Sequence, residues 1–187
     1  MEQNSYNIAL EIAGVLLKGP NHSRCVARTL VTNHMSVSRK MREMLEANVL
    51  DYREEGRNKV FFLKNTAEAR SCAVMAESYM LVKALKKHPE LRKIVESIQA
   101  DKRIMLAVIF GSYAKGNVKK GSDIDLYIET RDAGIKRDVE KLDSRLSVKT
   151  GLYDKESMLI REIEKSHIII KGIEEFYGKA GIFGQAR

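Results

Sequence analysis

The sequence contains few of the residues that define several classes of protein. Its 187 residues include two cysteines, two prolines and no tryptophan. Cys25 and Cys72 both lie in segments that we predict to be helical, which favours reduced thiols over a disulfide or a metal site. No apolar run approaches the ~20 residues that span a bilayer, and the first residues lack the basic and apolar segments of a signal peptide. We therefore expect a cytoplasmic protein.

The chain is basic, but the positive charge is not concentrated. The formal net charge is +8 at pH 7, and each of the segments 1–64, 65–100 and 101–187 carries part of the excess. Charge alone therefore gives little support for nucleic-acid binding. The apolar fraction of 44% is that of a soluble globular protein, and the length fits one large domain or two small ones.

Three helices and a hairpin are predicted at the beginning of the chain. Apolar residues at helical spacing define the first helix, and Gly19-Pro20 ends it. The predicted helices span 7–17, 21–30 and 36–47, with Asn21 and Ser36 as N-caps of the second and third. Two strand-like runs at 49–52 and 59–63, joined by the turn-prone sequence EEGRN, predict a hairpin. This is the order of elements in a winged helix-turn-helix domain, which we predict for residues 1–64.

A winged helix would offer a surface for duplex DNA. In helix-turn-helix proteins the recognition helix enters the major groove. The outward side of the third helix and the tip of the hairpin provide the candidate DNA-binding residues Ser38, Arg39, Arg42, Arg57 and Lys59. Such side chains attract phosphates, and arginine can also read a guanine edge. Two alternatives stay open, because a charged helix face is often only solvated and winged helices also dock proteins.

Residues 65–100 predict a helical connector between two domains. Asn65, followed three residues later by Glu68, is a capping-box pattern that begins a helix. Pro89 ends that helix and suits the first turn of another. Apolar residues such as Met75 are expected to pack against the domains or against a second subunit, so a homodimer is one expectation.

The pattern changes to that of a sheet at residue 104. The continuous apolar run 104–110 is typical of a strand buried on both faces. It ends at Gly111-Ser112, where glycine allows a sharp turn and a close approach of the backbone to a ligand. A basic loop follows, and the later segments predict helices over 133–146 and 157–165 and strands over 146–153 and 167–171. Residues 101–187 are thus predicted to form an α/β (α+β) domain with a mixed sheet flanked by helices.

Two aspartates alternate with apolar residues at a strand period after the basic loop. Side chains at positions i and i+2 of a strand point to the same face, about 6–7 Å apart. Asp123 and Asp125 can therefore converge on one metal ion, while Ile124 and Leu126 are available for burial. Two carboxylates on one face repel each other unless a cation lies between them. Mg²⁺ is the expected cation, because it prefers a few carboxylates, waters and substrate phosphates.

This arrangement resembles the signature of the DNA polymerase β-like nucleotidyltransferases. The sequence has FGS at 110–112, ten intervening residues, and DIDL at 123–126. It looks particularly like the minimal nucleotidyltransferases of bacteria and archaea. The resemblance implies transfer of a nucleoside monophosphate from a nucleoside triphosphate such as ATP. It implies Asp123 and Asp125 as catalytic and metal-binding residues, and Gly111, Ser112, Lys115 and Ser122 as nucleotide-binding residues.

One departure from the family concerns a third acid on a later strand. In this family that acid helps to bind metal and accepts the proton of the attacking hydroxyl. Here the strand predicted over 146–153 has Lys149 at its middle. Asp154 and Glu156 follow it and are the candidates for this role. Glu129 shares the face of Asp125 but lies about 13 Å further along the strand, too far to join the same ion.

Two functions are compatible with these patterns. The first is a Mg²⁺-dependent nucleotidyltransferase whose acceptor is a protein hydroxyl, an RNA end or a small molecule. The second is a DNA-binding transcriptional regulator whose C-terminal domain senses nucleotide or docks a partner without turnover. The two aspartates favour the first, and the winged helix with no obvious third acid favours the second. The resemblance also implies a partner, because minimal nucleotidyltransferases often pair with a small helical toxin-like protein.

Overall fold

The computed structural model describes residues 2–183, with side chains described from Ile8 onward, and these residues form two compact units. Among the described residues, one unit runs to Tyr79 and also includes Ile182 and Phe183, and the other is Met80–Gly181. Each unit combines helices with a sheet, which confirms the predicted mixed α/β (α+β) class. None of the described helices is both long and apolar enough to cross a membrane.

The described part of the N-terminal unit contains three complete helices, the first part of a fourth, and a three-stranded antiparallel sheet. Its elements are α1 (Glu2–Leu16), β1 (Asn21–His22), α2 (Ser23–Thr29), α3 (His34–Glu46), β2 (Leu50–Glu55) and β3 (Asn58–Leu63). The strand order is β1-β3-β2. Glu55 pairs with Asn58, and Gly56 between them has a φ of +61°, which glycine adopts readily. The hairpin therefore turns over Gly56 and Arg57 alone, and its strands extend further than the sequence predicted.

The helices of this unit bury their apolar sides in one core. Ile12 on α1, Val26 on α2, and Val37 and Met41 on α3 have no exposed surface. Val37 and Met41 are four residues apart and so lie on the same side of their helix. Fully burying such a side chain contributes roughly 1.5–3 kcal/mol. This core fixes the orientation of α3, whose opposite side is exposed.

Two helix caps differ from the predicted ones. Asn21 lies in β1, where its side-chain oxygen accepts a hydrogen bond from the backbone N–H of His22 at 2.9 Å, so it does not cap α2. α3 begins two residues before the predicted cap Ser36. The side chain of Asn33 caps it by accepting hydrogen bonds from the backbone N–H groups of Met35 at 2.7 Å and Ser36 at 3.4 Å. Asparagine is among the best N-cap residues, and here it precedes the serine.

The helix α4 (Ala67–Lys87) contributes to both cores. It supplies Ala69, Cys72 and Ala76 to the N-terminal core and Leu81 and Ala84 to the C-terminal core. Its cap is Thr66, whose hydroxyl accepts a hydrogen bond from the backbone N–H of Ala69 at 3.2 Å. The predicted cap Asn65 accepts instead from the guanidinium of Arg70 at 2.6 Å. The boundary between the units thus lies inside α4, and the division of functions among 1–64, 65–100 and 101–187 stays a prediction.

The N-terminal unit also includes a residue from near the other end of the chain. Phe183 packs against the N-terminal core. Its ring centroid lies 5.8 Å from the guanidinium carbon of Arg70 at the beginning of α4, a separation at which a cation and an aromatic face attract each other. The N-terminal core therefore takes residues from both sides of the segment Met80–Gly181 that forms the C-terminal unit.

The C-terminal unit is a mixed four-stranded sheet with helices. After the end of α4 come a 3₁₀ turn (Pro89–Leu91), α5 (Arg92–Ala100), β4 (Ala107–Ile109), α6 (Gly111–Lys115), β5 (Ile124–Glu129), α7 (Ala133–Glu140), β6 (Leu146–Gly151), α8 (Met158–Lys165), β7 (Ile168–Lys171) and α9 (Ile173–Ala180). The strand order is β6-β5-β4-β7. β5 and β6 are parallel, and the other two pairs are antiparallel. The predicted mixed sheet flanked by helices is confirmed.

Several elements of this unit differ in length from their predictions. β4 has three residues instead of the predicted seven, although Ala107, Val108 and Ile109 are fully buried as expected. The segment after it is not a plain loop, because α6 forms and ends at Gly116 with a φ of +73°. α7 ends at Glu140, six residues earlier than predicted. The helix α9 was not predicted.

Candidate active site

The turn after β4 brings the backbone against a side chain of β5. β4 pairs with β5, and beyond the paired residues the backbone N–H of Phe110 donates to the backbone oxygen of Asp125 at 3.0 Å. Gly111 then begins α6 with a φ of +64°. A Cβ atom on Gly111 would lie 2.1 Å from Oδ2 of Asp125. Glycine therefore satisfies two requirements here, a left-handed backbone and space for the carboxylate.

The two candidate metal-binding aspartates lie at the beginning of β5. Asp125 is half-buried, and Asp123, which precedes the first strand residue, is exposed. Ile124 and Leu126, the apolar residues that alternate with them, have no exposed surface. Burial of the apolar residues anchors the strand and leaves the carboxylates at its accessible beginning.

Burial and nearby charges raise the pKa of the Asp125 carboxyl above its ordinary value. Desolvation is the largest cause, followed by the negative charges of Asp123 and Glu162. The ammonium groups of Lys149 and Lys115 act in the opposite direction. Desolvation and like charges both disfavour an ionised carboxylate. A cation bound between the carboxylates would favour their ionised form and so oppose both the desolvation and the repulsion between them.

The donors fit a divalent metal ion that shares its coordination with a substrate. Among the residues that the structure describes, no group of three or more His, Cys, Asp or Glu side chains could hold a metal ion. Two carboxylates at a strand end are what Mg²⁺ uses when waters and phosphates complete its octahedron. Asp123 and Asp125 would therefore hold the ion together with a triphosphate.

The strand β6 brings no carboxylate next to this pair. In the parallel register, Ser147 pairs with Asp125 and Lys149 pairs with Tyr127. Side chains two residues apart share a face of the strand, and the Lys149 charge lowers the pKa of Asp125. A cationic side chain thus acts on Asp125 from β6, whose sequence contains no acid that could serve as the third one.

The two sequence candidates for the third acid are engaged in local contacts. Asp154 accepts a hydrogen bond from the backbone N–H of Glu156 at 3.0 Å. The Glu156 carboxylate lies 2.5 Å from the guanidinium of Arg161. Both acids are exposed. The largest charge effects on the pKa of Asp125 come from other residues.

An acid on α8 lies near the site instead. The Lys115 ammonium at the end of α6 donates to Oε1 of Glu162 at 2.7 Å. Ile160 and Ile163 on α8 are buried and fix the helix on the unit. The sequence did not predict Glu162 as a site residue, because it is far from the aspartates along the chain and belongs to no local motif. The amphipathic pattern of α8 indicates that Glu162 faces outward, but not that it faces Asp125.

The remaining nucleotide-binding candidates lie on the segments that flank the aspartates. Ser112 is half-buried in the first turn of α6, and its backbone oxygen accepts from the backbone N–H of Asn117 at 3.1 Å. The hydroxyl of Ser122 accepts from the backbone N–H of Lys119 at 2.9 Å. Ser122 therefore closes the basic turn before Asp123. Its hydroxyl shapes the loop, and its role toward a nucleotide stays a prediction.

The candidate DNA-binding residues are on the exposed surface of the N-terminal unit. Arg39 and Arg42 are exposed on α3, and Arg57 and Lys59 are exposed at the hairpin. The Arg39 guanidinium lies 4.0 Å from the carboxylate of Glu43. An exposed pair at that distance contributes little to stability, so it leaves the arginine available to a stronger anion.

Ser38 and Lys59 also have contacts within the unit. The Ser38 hydroxyl lies 3.1 Å from Nε2 of His34, and that nitrogen is also 3.1 Å from the hydroxyl of Ser23 on α2. Ser38 thus contacts the histidine that joins α3 to α2. The Lys59 ammonium lies 3.8 Å from the ring centroid of Tyr52 across the hairpin, a cation–π contact that holds it near the strand.

Residues 92–175 match the family model described as Polymerase beta, Nucleotidyltransferase. The match covers less than half of the chain and includes β4, α6, β5 and the aspartates. It supports the resemblance to the DNA polymerase β-like superfamily and a nucleotidyltransferase-type function with a nucleotide substrate. Proteins of this type generally use divalent metal ions. A search of curated proteins finds none that matches the chain.

Proposed function

We propose that the C-terminal unit transfers a nucleoside monophosphate from a nucleoside triphosphate such as ATP to an acceptor. The observation that carries this proposal is the packing of Gly111 against Asp125, which brings the glycine turn and the aspartate strand together. The family match over residues 92–175 includes both segments. Without this contact, the two motifs would be separate features of the sequence.

The proposed roles of the residues follow from their positions. Asp123 and Asp125 would hold Mg²⁺, which would supply positive charge to the phosphates. The acceptor would attack the α-phosphate in line, the bond between the α- and β-phosphates would break, and pyrophosphate would leave. The turn at Gly111 and Ser112 would lie against the triphosphate, with Lys115 and Ser122 on either side. We propose no residue as the general base.

Label transfer tests the proposed activity directly. The full chain is incubated with ATP, GTP, CTP or UTP labelled at the α-phosphate, with Mg²⁺ and with total RNA or cell protein as acceptor. We expect Mg²⁺-dependent label on one class of acceptor, and none with Asp125→Asn. Triphosphate binding without label on any macromolecule or small molecule would contradict turnover and favour a nucleotide-sensing domain.

A second candidate function is a DNA-binding regulator with a nucleotide-responsive C-terminal unit. It is favoured by the order of helices and strands in the N-terminal unit and by the exposed arginines of α3. In this proposal the N-terminal unit is a winged helix and α3 is its recognition helix. The two functions are compatible, since a nucleotidyltransferase can also carry a DNA-binding domain.

We predict that DNA binding will depend on Arg39 and Arg42 through their charge. The logarithm of affinity should fall linearly with the logarithm of salt concentration, by about 0.9 per phosphate neutralised. Replacing both arginines by alanine should reduce that slope by roughly two units. Fluorescence anisotropy of the full chain on duplex DNA at several salt concentrations measures it. No binding even at low salt would instead favour a protein-docking winged helix.

The partners implied by the family resemblance also belong to the proposal. A small helical toxin-like protein would supply an acceptor hydroxyl or be controlled by the nucleotidyltransferase. A homodimer is the other proposed assembly, and the exposed side chains of Met75 and Val82 on α4 support it as apolar surface. We further propose a cytoplasmic location, where nucleoside triphosphates and Mg²⁺ are available.

A further inference from the structure

Val31, in the turn between α2 and α3, has a backbone conformation that is unusual for its side chain. Its φ is +50°, and among the described residues only Asn48 also combines a positive φ with a residue other than glycine. The backbone N–H of Val31 donates to the oxygen of Arg28 at 3.2 Å, and the N–H of the next residue donates to the oxygen of Ala27 at 3.0 Å. These bonds define a Schellman motif, whose left-handed residue is usually glycine. A β-branched residue is disfavoured there.

The fold gains little from a valine at this position. Val31 is 92% exposed, so its side chain buries almost no apolar surface that could offset the strain. Asn48, which follows the end of α3, accepts a hydrogen bond from the Lys64 ammonium at 2.6 Å and so contributes to its unit. The helices α6 and α9 end at Gly116 and Gly181, for which a positive φ is not strained. A strained residue that the fold does not use indicates a functional role.

A second exposed apolar residue lies in the first turn of α3. Met35 is 72% exposed. It precedes Arg39 by four residues and Arg42 by seven, so the three share one side of the helix. Both arginines are exposed, and the buried residues of α3 lie on the opposite side. An apolar end on an otherwise cationic face fits a ligand that offers methyl groups beside phosphates. Duplex DNA is such a ligand, because the C5-methyl group of thymine lies in its major groove.

We propose that Val31 and Met35 contact the C5-methyl groups of thymine in the major groove and give the N-terminal unit a preference for thymine. This inference rests on the second proposed function, DNA binding with α3 as the recognition helix. A recognition helix presents its N-terminal residues to the base edges, which is where Met35 lies. Apolar side chains contact the thymine methyl, while Arg39 and Arg42 would contact phosphates.

The test compares two duplexes that differ only in these methyl groups. Fluorescence anisotropy of the full chain is measured on an alternating adenine–thymine duplex and on the same duplex with uracil in place of thymine, at one salt concentration. Covering one or two methyl groups should make wild type bind the thymine duplex about four- to fifteenfold more tightly. In the double variant Val31→Gly and Met35→Gln, the two affinities should agree within about twofold.

Two controls separate methyl recognition from other effects. Glycine relieves the left-handed strain, so Val31→Gly alone should raise the denaturant midpoint of unfolding while it weakens the preference for thymine. A lowered midpoint would show that the fold requires the valine and would overturn the inference. Met158 is also a methionine in the first turn of a helix, α8 of the C-terminal unit, and it is 86% exposed. Met158→Gln should therefore leave the preference unchanged, and its loss in this variant would count against the inference.

The outcomes distinguish the inference from the function on which it rests. Equal affinity of wild type for the two duplexes would overturn the inference and leave DNA binding intact. A preference for thymine that persists in the double variant would assign methyl recognition to other residues and would also overturn it. Absence of binding to either duplex at low salt would overturn both the inference and DNA binding by this unit.

Discussion

Replacing Asp125 by asparagine is expected to weaken Mg²⁺-dependent triphosphate binding by a few kcal/mol, which corresponds to about 10- to 1,000-fold in affinity. Asparagine keeps the shape of the side chain against Gly111 but removes the charge that would bind the metal ion. The same change at Asp123 should also weaken binding. Calorimetric titration with ATP and Mg²⁺ measures the loss, and circular dichroism shows whether the fold is retained.

Asp138→Asn is the control for this experiment. Asp138 is half-exposed on α7, where its carboxylate contacts Arg103 at 3.2 Å. It is thus an aspartate of the same unit in a surface ion pair, and its replacement should leave ATP affinity unchanged. If the double variant of Asp123 and Asp125 binds ATP as tightly as wild type, these residues do not form the metal site.

Replacing Gly111 by alanine is expected to destabilise the C-terminal unit and to remove triphosphate binding together. Alanine in the left-handed conformation costs roughly 1–2 kcal/mol. Its Cβ would also lie 2.1 Å from Oδ2 and 2.9 Å from Cγ of Asp125, so the turn or the carboxylate must move. Denaturant unfolding measures the loss of stability, and calorimetry with ATP and Mg²⁺ under native conditions measures the loss of the site.

A second glycine in the same unit gives the matched control for Gly111. Gly178 lies inside α9, and a Cβ atom there would have no neighbour within 4 Å. Gly178→Ala should therefore stabilise the protein by up to about 1 kcal/mol, because alanine favours the helix. If Gly111→Ala were as stable as wild type and bound ATP equally, the close contact with Asp125 would not be essential to the site.

The central part of the site could be predicted from the sequence because the patterns that define it lie in short stretches of the chain. Gly111 and Ser112 follow an apolar strand, and Asp123 and Asp125 alternate with residues that must be buried. Both patterns occupy short stretches whose geometry follows from the strand period. The pairing of β4 with β5 then brings the two stretches together. The roles of these residues toward metal and nucleotide remain predictions.

The rest of the site depends on contacts that no local pattern contains. Glu162 acts on Asp125 because the fold brings α8 near the site, and the buried Ile160 and Ile163 fix this helix in the unit. Lys149 was visible in the sequence, but its effect on Asp125 follows from the parallel register of β5 and β6. The predicted caps Asn21, Ser36 and Asn65 failed for a related reason. Several polar residues close together can each begin a helix, and tertiary contacts decide which one does.

The contribution of Phe183 to the N-terminal core has a consequence for folding during synthesis. A ribosome releases the chain from its beginning, so α1, α2 and α3 emerge first. Phe183, whose ring contacts the guanidinium of Arg70, emerges only after every strand of the C-terminal unit has been made. Phe183 lies only two residues after Gly181, so the N-terminal core receives this packing residue no earlier than the C-terminal unit receives its last residue. We expect the unit that begins first to reach its final stability no earlier than the unit that follows it.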